Sequence, residues 1–291
     1  MSGRPTGRLR LGELGRFLEI QNLGLNLPFA LGFLLLAAHG WPTLRTFVLV
    51  VVAFVAARNA GHSFNRWADR LFDARNPRTQ ERALVTGRLS PGFALGVTAA
   101  SSAVVIAAAA FLNPLALVLA PVALGAIFLY SYTKRYSALT TAYLGLVEGI
   151  TPAAVFIAVT GSLPWAAVVA TLALLAWGTA FETIHSLGDV DADRVASLRS
   201  IPARIGVKRS VLLLPFLHAA GVLLLAGVGW LLGVSPIYYV ALAAMAALAA
   251  VIDAGVMRRP METRRPFRLH FLGGALFLAG VTGALFLNIP L

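Results

Sequence analysis

The chain has 291 residues, of which 58% are hydrophobic and only 12% charged, with a formal net charge of +12 and no cysteine. Soluble domains carry about 25% charged residues, so a soluble globule is excluded, as are disulfides, thiolate metal sites and cysteine nucleophiles. The mean hydropathy of +0.80 points to an integral membrane protein.

Taken from the N-terminus, residues 1–22 are polar and basic. They contain no apolar stretch ending in a cleavage site, so they are expected to be a cytoplasmic segment and not a signal peptide. An apolar run of about 20 residues crosses the hydrocarbon core. Nine such runs follow, at 23–41, 44–62, 91–112, 115–131, 138–160, 164–187, 210–233, 236–256 and 267–288. Turn-forming residues separate several of them: Gly40-Trp41-Pro42, Asn113-Pro114, Gly161-Ser162-Leu163-Pro164 and Gly233-Val234-Ser235-Pro236. The expectation is one all-α, multi-pass bundle of nine helices spanning residues 1–291.

The positive charge is sorted along this pattern. Every Lys and Arg except Arg45 precedes the first run or accompanies the end of an even-numbered one. That is a topology signal and argues against nucleic acid as a partner. The positive-inside rule places the N-terminus and the long connections in the cytoplasm, within a cell inner (plasma) membrane, and the C-terminus outside.

Two acidic clusters break the apolar pattern. Asn65, Asp69 and Asp73 follow the second run, and Asp189 and Asp193 follow the sixth. Helix residues four apart share a face, so each cluster forms a ridge of oxygens, and the parity of the runs puts both at the cytoplasmic face. An Asp at the centre of a spanning helix costs about 2.5–3.5 kcal/mol, less near the interface, so several together need compensation. Divalent metal with a polyphosphate supplies it, because Mg²⁺ takes oxygen ligands from a few carboxylates plus phosphates. The blander reading pairs the acids with Arg66, Arg70 and Arg194. It accounts for either cluster alone, but not for two on one membrane face.

Other polar residues are read around these clusters. Asp191 lies between the second-cluster acids and points elsewhere on a helix. Glu182 lies two turns deeper than Asp189, as an inner metal ligand or a positioning group. Glu148 is more isolated inside the fifth run, and Asp253 is expected to pair with Arg258 or a neighbour. Arg75, Arg78, Arg82, Arg199 and Arg204 flank the acids, and arginine matches phosphate oxygens bidentately. The histidines show no metal-ligand spacing. Ala275, Ala279 and Gly283 have the small-residue spacing of helix packing.

These motifs resemble the UbiA superfamily of intramembrane prenyltransferases over most of the chain. Asn65-Arg66-Trp67-Ala68-Asp69-Arg70-Leu71-Phe72-Asp73-Ala74-Arg75-Asn76-Pro77-Arg78-Thr79, followed by Arg82 and Gly87, is similar to the family's first motif. Tyr130-Ser131-Tyr132-Thr133-Lys134-Arg135 resembles its Tyr-x-x-x-Lys loop, and Asp189-Val190-Asp191-Ala192-Asp193 with Ser200-Ile201-Pro202-Ala203-Arg204 its second motif. The resemblance implies Mg²⁺-dependent prenyl transfer from a polyprenyl diphosphate to an acceptor. Mg²⁺ would be held by Asn65, Asp69, Asp73, Asp189 and Asp193. The diphosphate would be bound by Asn65, Arg78, Arg82, Tyr130, Lys134 and Arg199, with Asp191 as a base for the ring proton. The wording is closest to quinone-pathway members that act on 4-hydroxybenzoate or a menaquinone-precursor aromatic acid. Heme, chlorophyllide or a glycerol-phosphate lipid are the alternative acceptors. In three places the chain departs from the family: Gln21 and its neighbours lack the basic residue often found in the first helix, and Glu182 and His185 stand where relatives usually have Asp and Tyr. A secondary transporter is the competing reading of another class. Transporter sites lie near the midplane, often between inverted repeats, whereas these clusters are parallel and at one face.

Overall fold

The computed structural model describes residues 11–77, 79–136, 140–195 and 199–287. Among these there are helices and connections and no strand. A short helix α1 (Leu11–Phe17) and a 3-10 turn (Ile20–Asn22) lead into α2 (Leu23–Ala37), α3 (Leu44–Asp73), α4 (Pro91–Leu112), α5 (Pro114–Tyr136), α6 (Thr140–Thr160) and α7 (Trp165–Leu187). Two short helices, α8 (Val190–Val195) and α9 (Ile201–Ile205), precede α10 (Val207–Leu232), α11 (Pro236–Arg258) and α12 (Arg264–Phe286).

Eight of these helices are long and apolar enough to cross a membrane, and α2 is a shorter apolar ninth. The nine expected runs therefore all appear as helices. Two differ in length. At 1.5 Å per residue, the 15 residues of α2 span less than the roughly 30 Å hydrocarbon core. The second run does not stop near residue 62 but continues to Asp73, giving a 30-residue α3. No proline or glycine interrupts residues 62–73, so nothing stops the helix before the first acidic ridge.

Helix starts are fixed by local chemistry. The Thr43 side chain accepts from the Thr46 backbone N–H at the start of α3, and Ser90 does the same for Phe93 at the start of α4, with Pro91 in the first turn. Asn113 caps α5 through Ala116 N–H, while its amide donates to the Ile157 and Ala158 carbonyls and ties α5 to α6. Each such side chain satisfies a backbone group that a helix end leaves open.

The main core lies among α2, α6, α7, α10, α11 and α12, around Phe29, Phe33, Trp177, Tyr238 and Phe277. Helix α7 is the most buried candidate span. It approaches α6 closely because Gly149 and Gly178 stand at the contact: a Cβ on Gly149 would sit 2.9 Å from the Thr171 carbonyl oxygen, and one on Gly178 would sit 2.8 Å from Glu148 Oε2. Small residues allow such backbone approach in lipid. A second, smaller core joins α3, α4 and α5 through Ala56, Ala60, Val105 and Leu124.

Asp253 does not pair with Arg258. It is buried and lies 2.9 Å from His218 Nδ1, whose Nε2 lies 3.2 Å from His270 Nε2. His270 Nδ1 is 3.0 Å from the Pro266 carbonyl, which can only accept, so that nitrogen donates. The chain of hydrogen bonds ties α10, α11 and α12 together. Asp253 turns inward because a carboxylate in lipid gains more from a buried imidazole than its neighbours on the same helix can offer.

Candidate active site

Helix α3 presents Ser63, Arg66, Asp69 and Asp73 as a buried polar face at its C-terminal end. Their three- and four-residue spacing puts them on one side of the helix. Asn65 is half-buried beside them. Its Nδ2 donates to Asp69 Oδ2 at 2.8 Å and to Ser131 Oγ on α5 at 3.3 Å. Asp73 accepts from Arg82 Nη1 through both carboxylate oxygens at 2.8 Å, and its carbonyl accepts from Thr79 Oγ1 at 3.0 Å. The connection after α3 therefore folds back on the ridge it follows.

Asp73 thus pairs with Arg82, whereas the three arginines of the blander reading have other contacts among the described residues. Arg66 donates to Glu19 Oε1 at 2.6 Å and to the Arg16 carbonyl at 3.3 Å, and lies over the Phe17 ring. Arg70 lies over Trp67 and donates to its carbonyl. Arg194 is 3.8 Å from Asp191.

The second ridge is built differently. Helix α7 ends at Leu187, Gly188 turns the chain, and α8 starts at Val190. Asp193 N–H donates to the Asp189 carbonyl at 2.8 Å, so a helical turn links these residues. Leu187 and Val190 are buried and anchor the turn. Asp189 and Asp193 are half-buried. Asp191, two residues from each, faces the other way and its side chain is 84% exposed. The expectation that Asp191 receives the ring proton thus falls on an exposed side chain and not on one screened from water.

The charges of both ridges reach Tyr130 on α5. The negative charges that bear on its phenol are Glu182 on α7, Asp69 on α3, Glu148 on α6 and Asp193 on α8. Acids separated by more than 100 positions in sequence thus act on one half-buried hydroxyl. Glu182 lies behind the second ridge, 3.9 Å from His185 Nδ1. Arg199 is exposed. Arg78 and the side chain of Lys134 lie outside the described residues.

Three features were invisible in the spacing. Arg58, counted only as a topology charge, donates to the Leu18 and Glu19 carbonyls at 2.9 and 3.1 Å. Glu148 accepts from Asn26 Nδ2 at 3.3 Å, so it is not isolated. Glu19 joins the site region through Arg66 and His62, the latter at 3.9 Å. Burial pushes the Glu19 carboxyl up, but His62, Arg66 and Arg82, with the Asn22 hydrogen bond, outweigh it and hold it below its ordinary value. An acidic residue three positions after Arg16, at the end of a basic N-terminal segment, was the available signal.

Among the described residues no three carboxylate or imidazole groups are close enough to hold a metal by themselves. The donor set nevertheless fits a hard cation. Asn65, Asp69, Asp189 and Asp193 offer only oxygen, and Mg²⁺ is usually bound by one or two carboxylates plus phosphate oxygens. Oxygen donors too few to enclose an ion suit a metal–diphosphate better than a free ion.

The profile of the UbiA prenyltransferase family matches residues 26–279. A 4-hydroxybenzoate octaprenyltransferase of Paraburkholderia phytofirmans is 32% identical over 250 residues, covering 85% of this chain and 87% of that protein. The apo structure of a UbiA homolog from Aeropyrum pernix K1 superposes with a TM-score of 0.82 at 32% identity, covering 90% of this chain and 97% of that one. A UbiA homolog from Archaeoglobus fulgidus bound to GPP and Mg²⁺ has the same fold, with a TM-score of 0.74 at 21% identity over 94% of this chain and 99% of that one.

Proposed function

The chain belongs to the UbiA prenyltransferase family, and from that premise we propose that it transfers a polyprenyl group from its diphosphate to an aromatic acid of quinone biosynthesis, with Mg²⁺ on the diphosphate and the site open to the cytoplasm. The observation that carries this reading is that the charges of Asp69 on α3 and Asp193 on α8 both bear on the Tyr130 phenol. The naming of relatives as 4-hydroxybenzoate octaprenyltransferases supports an aromatic acid acceptor.

The proposed division of labour follows from position. Asn65 and Asp69 form one oxygen site, with Asp73 beside it, and Asp189 and Asp193 form the other. Bound Mg²⁺ would neutralise the charge that develops on the leaving diphosphate. Arg82 stands within reach of the same phosphate oxygens and at rest holds Asp73. Arg78 and Lys134 are proposed as further phosphate contacts, as is Arg199 at the exposed rim. The Tyr130 hydroxyl donates to an oxygen of the diphosphate. Such donors act most strongly where they are fixed before the reaction and water is excluded. The surrounding helices screen the allylic carbon from water while its bond to oxygen breaks and the ring carbon attacks. Glu182, the foremost negative charge on Tyr130 and half-buried, is better screened than Asp191 to receive the ring proton.

The test is reconstitution in liposomes with Mg²⁺, a long prenyl diphosphate and a panel of aromatic acids. The panel includes 4-hydroxybenzoate, and lipid products are identified by mass spectrometry. Pyrophosphate release that requires both substrates is expected. Uptake of solute without pyrophosphate release would replace this reading with transport.

A further inference from the structure

The N-terminal segment does more than precede the first membrane helix. Phe17 is buried against Leu84, Leu89 and Ala94 of the connection after α3 and the start of α4, with its ring 5.8 Å from Phe93. Glu13 lies 3.7 Å from Arg88. At the end of this strap Glu19 adopts a left-handed backbone, with φ of 50°, a conformation that residues other than glycine rarely take. Arg58 holds that turn by donating to the carbonyls of Leu18 and Glu19. Strained turns of this kind persist where surrounding contacts fix them, and they cluster at functional sites.

The fixed turn aims the Glu19 carboxylate at Arg66 at 2.6 Å. Arg66 is 9% exposed and sits one residue after Asn65. Helix spacing places Arg66 three residues before Asp69, the distance at which an arginine and a carboxylate pair. Asp73 also acts on Arg66 electrostatically. Left without Glu19, a buried guanidinium must find another anion, because an uncompensated buried charge is strongly unfavourable. Its own helix face carries two, Asp69 and Asp73.

We propose that Glu19 is a positioning residue for the first acidic ridge: it holds Arg66 and keeps that guanidinium from pairing with Asp69 or joining Arg82 on Asp73, so that the ridge is not committed to a second arginine and can turn its oxygens to a metal-bound diphosphate. The proposal rests on the transferase reading above. It assigns the N-terminal strap a part in substrate binding, since the ridge is competent only while Leu11–Asn22 is docked.

The test is binding of Mn²⁺ with inorganic pyrophosphate to purified full-length protein in detergent, read by electron paramagnetic resonance and independent of turnover. Wild type is expected to bind. Glu19→Gln is expected to weaken binding about tenfold, the size of one lost charge-assisted interaction. Adding Arg66→Gln to Glu19→Gln is expected to restore affinity, whereas Arg66→Gln alone changes it by less than about threefold. Equal factors for Arg66→Gln in both backgrounds would mean simple through-space addition of charge and would overturn the proposal. So would Glu19→Gln binding within twofold of wild type, even with lowered thermal stability, which would mark the pair as structural only. If Glu19→Gln does not stay monodisperse, Glu19→Asp takes its place, with about a threefold loss expected and no change overturning the idea. Absence of Mn²⁺ binding in wild type overturns the transferase reading together with this one, whereas normal wild-type binding with unaltered variants overturns this one alone.

Discussion

The two acidic ridges look alike in sequence and differ in construction. The first closes a continuous 30-residue helix, and its Asp69 and Asp73 are 2% and 8% exposed. It is braced by Ser131 from α5 and by Arg82 from the following connection. The second follows a helix stop at Gly188 and sits on a six-residue helix, with half-buried acids. A long helix with partners on several sides fixes its side chains before any ligand arrives. The short helix anchored by Leu187 and Val190 leaves its carboxylates nearer the solvent than those of the first ridge. On the proposed function, the difference makes the first ridge a preformed half-site and the second an adaptable one.

The largest expected effect tests the preformed half. Asp69→Asn should lower prenyl transfer by about a thousandfold, the upper range for removing one preorganised group that stabilises developing charge. Thermal stability in detergent should change little. A loss at Asp69 no greater than at Asp189 would break the comparison. Asp193→Asn should cost about a hundredfold, with more of the loss in KM for the prenyl diphosphate than at Asp69, because binding must then order a site already short of one oxygen. Steady-state kinetics at varied Mg²⁺ separates the two. Arg82→Gln should raise KM for the diphosphate about tenfold and leave kcat nearly unchanged, since it removes a phosphate partner and frees Asp73 at once. Asp191→Asn should stay within about twofold of wild type, consistent with a lone surface ion pair such as that with Arg194.

The smallest effect is on stability against pH. The Glu19 carboxyl is held below its ordinary value of 4.5. A carboxylate with a lowered folded value contributes stability that is complete above the unfolded value and is lost as pH falls through the folded one. The contribution should therefore be constant above about pH 4.5 and fade below it. Thermal unfolding of wild type and Glu19→Gln should converge in acid and diverge towards neutral pH.

How much of this was legible depended on the range of the interaction. The apolar runs and their breaks located every long helix, with most ends within three residues, because lipid forces each spanning segment to satisfy its own backbone. The run through residues 62–73 was cut short only because its hydropathy falls while its helical geometry continues. Asn65 to Asp69 was also legible, since a four-residue helical spacing is a local property. Asp253 was misread because its true partner, His218, lies 35 positions away. The partner of Arg66 was out of reach of spacing for the same reason, Glu19 being 47 positions earlier.

The sequence by itself determined which segments enter the membrane and which oxygen-bearing side chains share a helix face, because hydrophobic length and helical period act within a few turns. Only the tertiary structure decided which charges meet. It brought Asp69 and Asp193 to Tyr130, gave Arg66 to Glu19 and turned Asp191 outward. In a low-dielectric interior, the nearest opposite charge in space governs each ionised group, and chain order does not encode that distance.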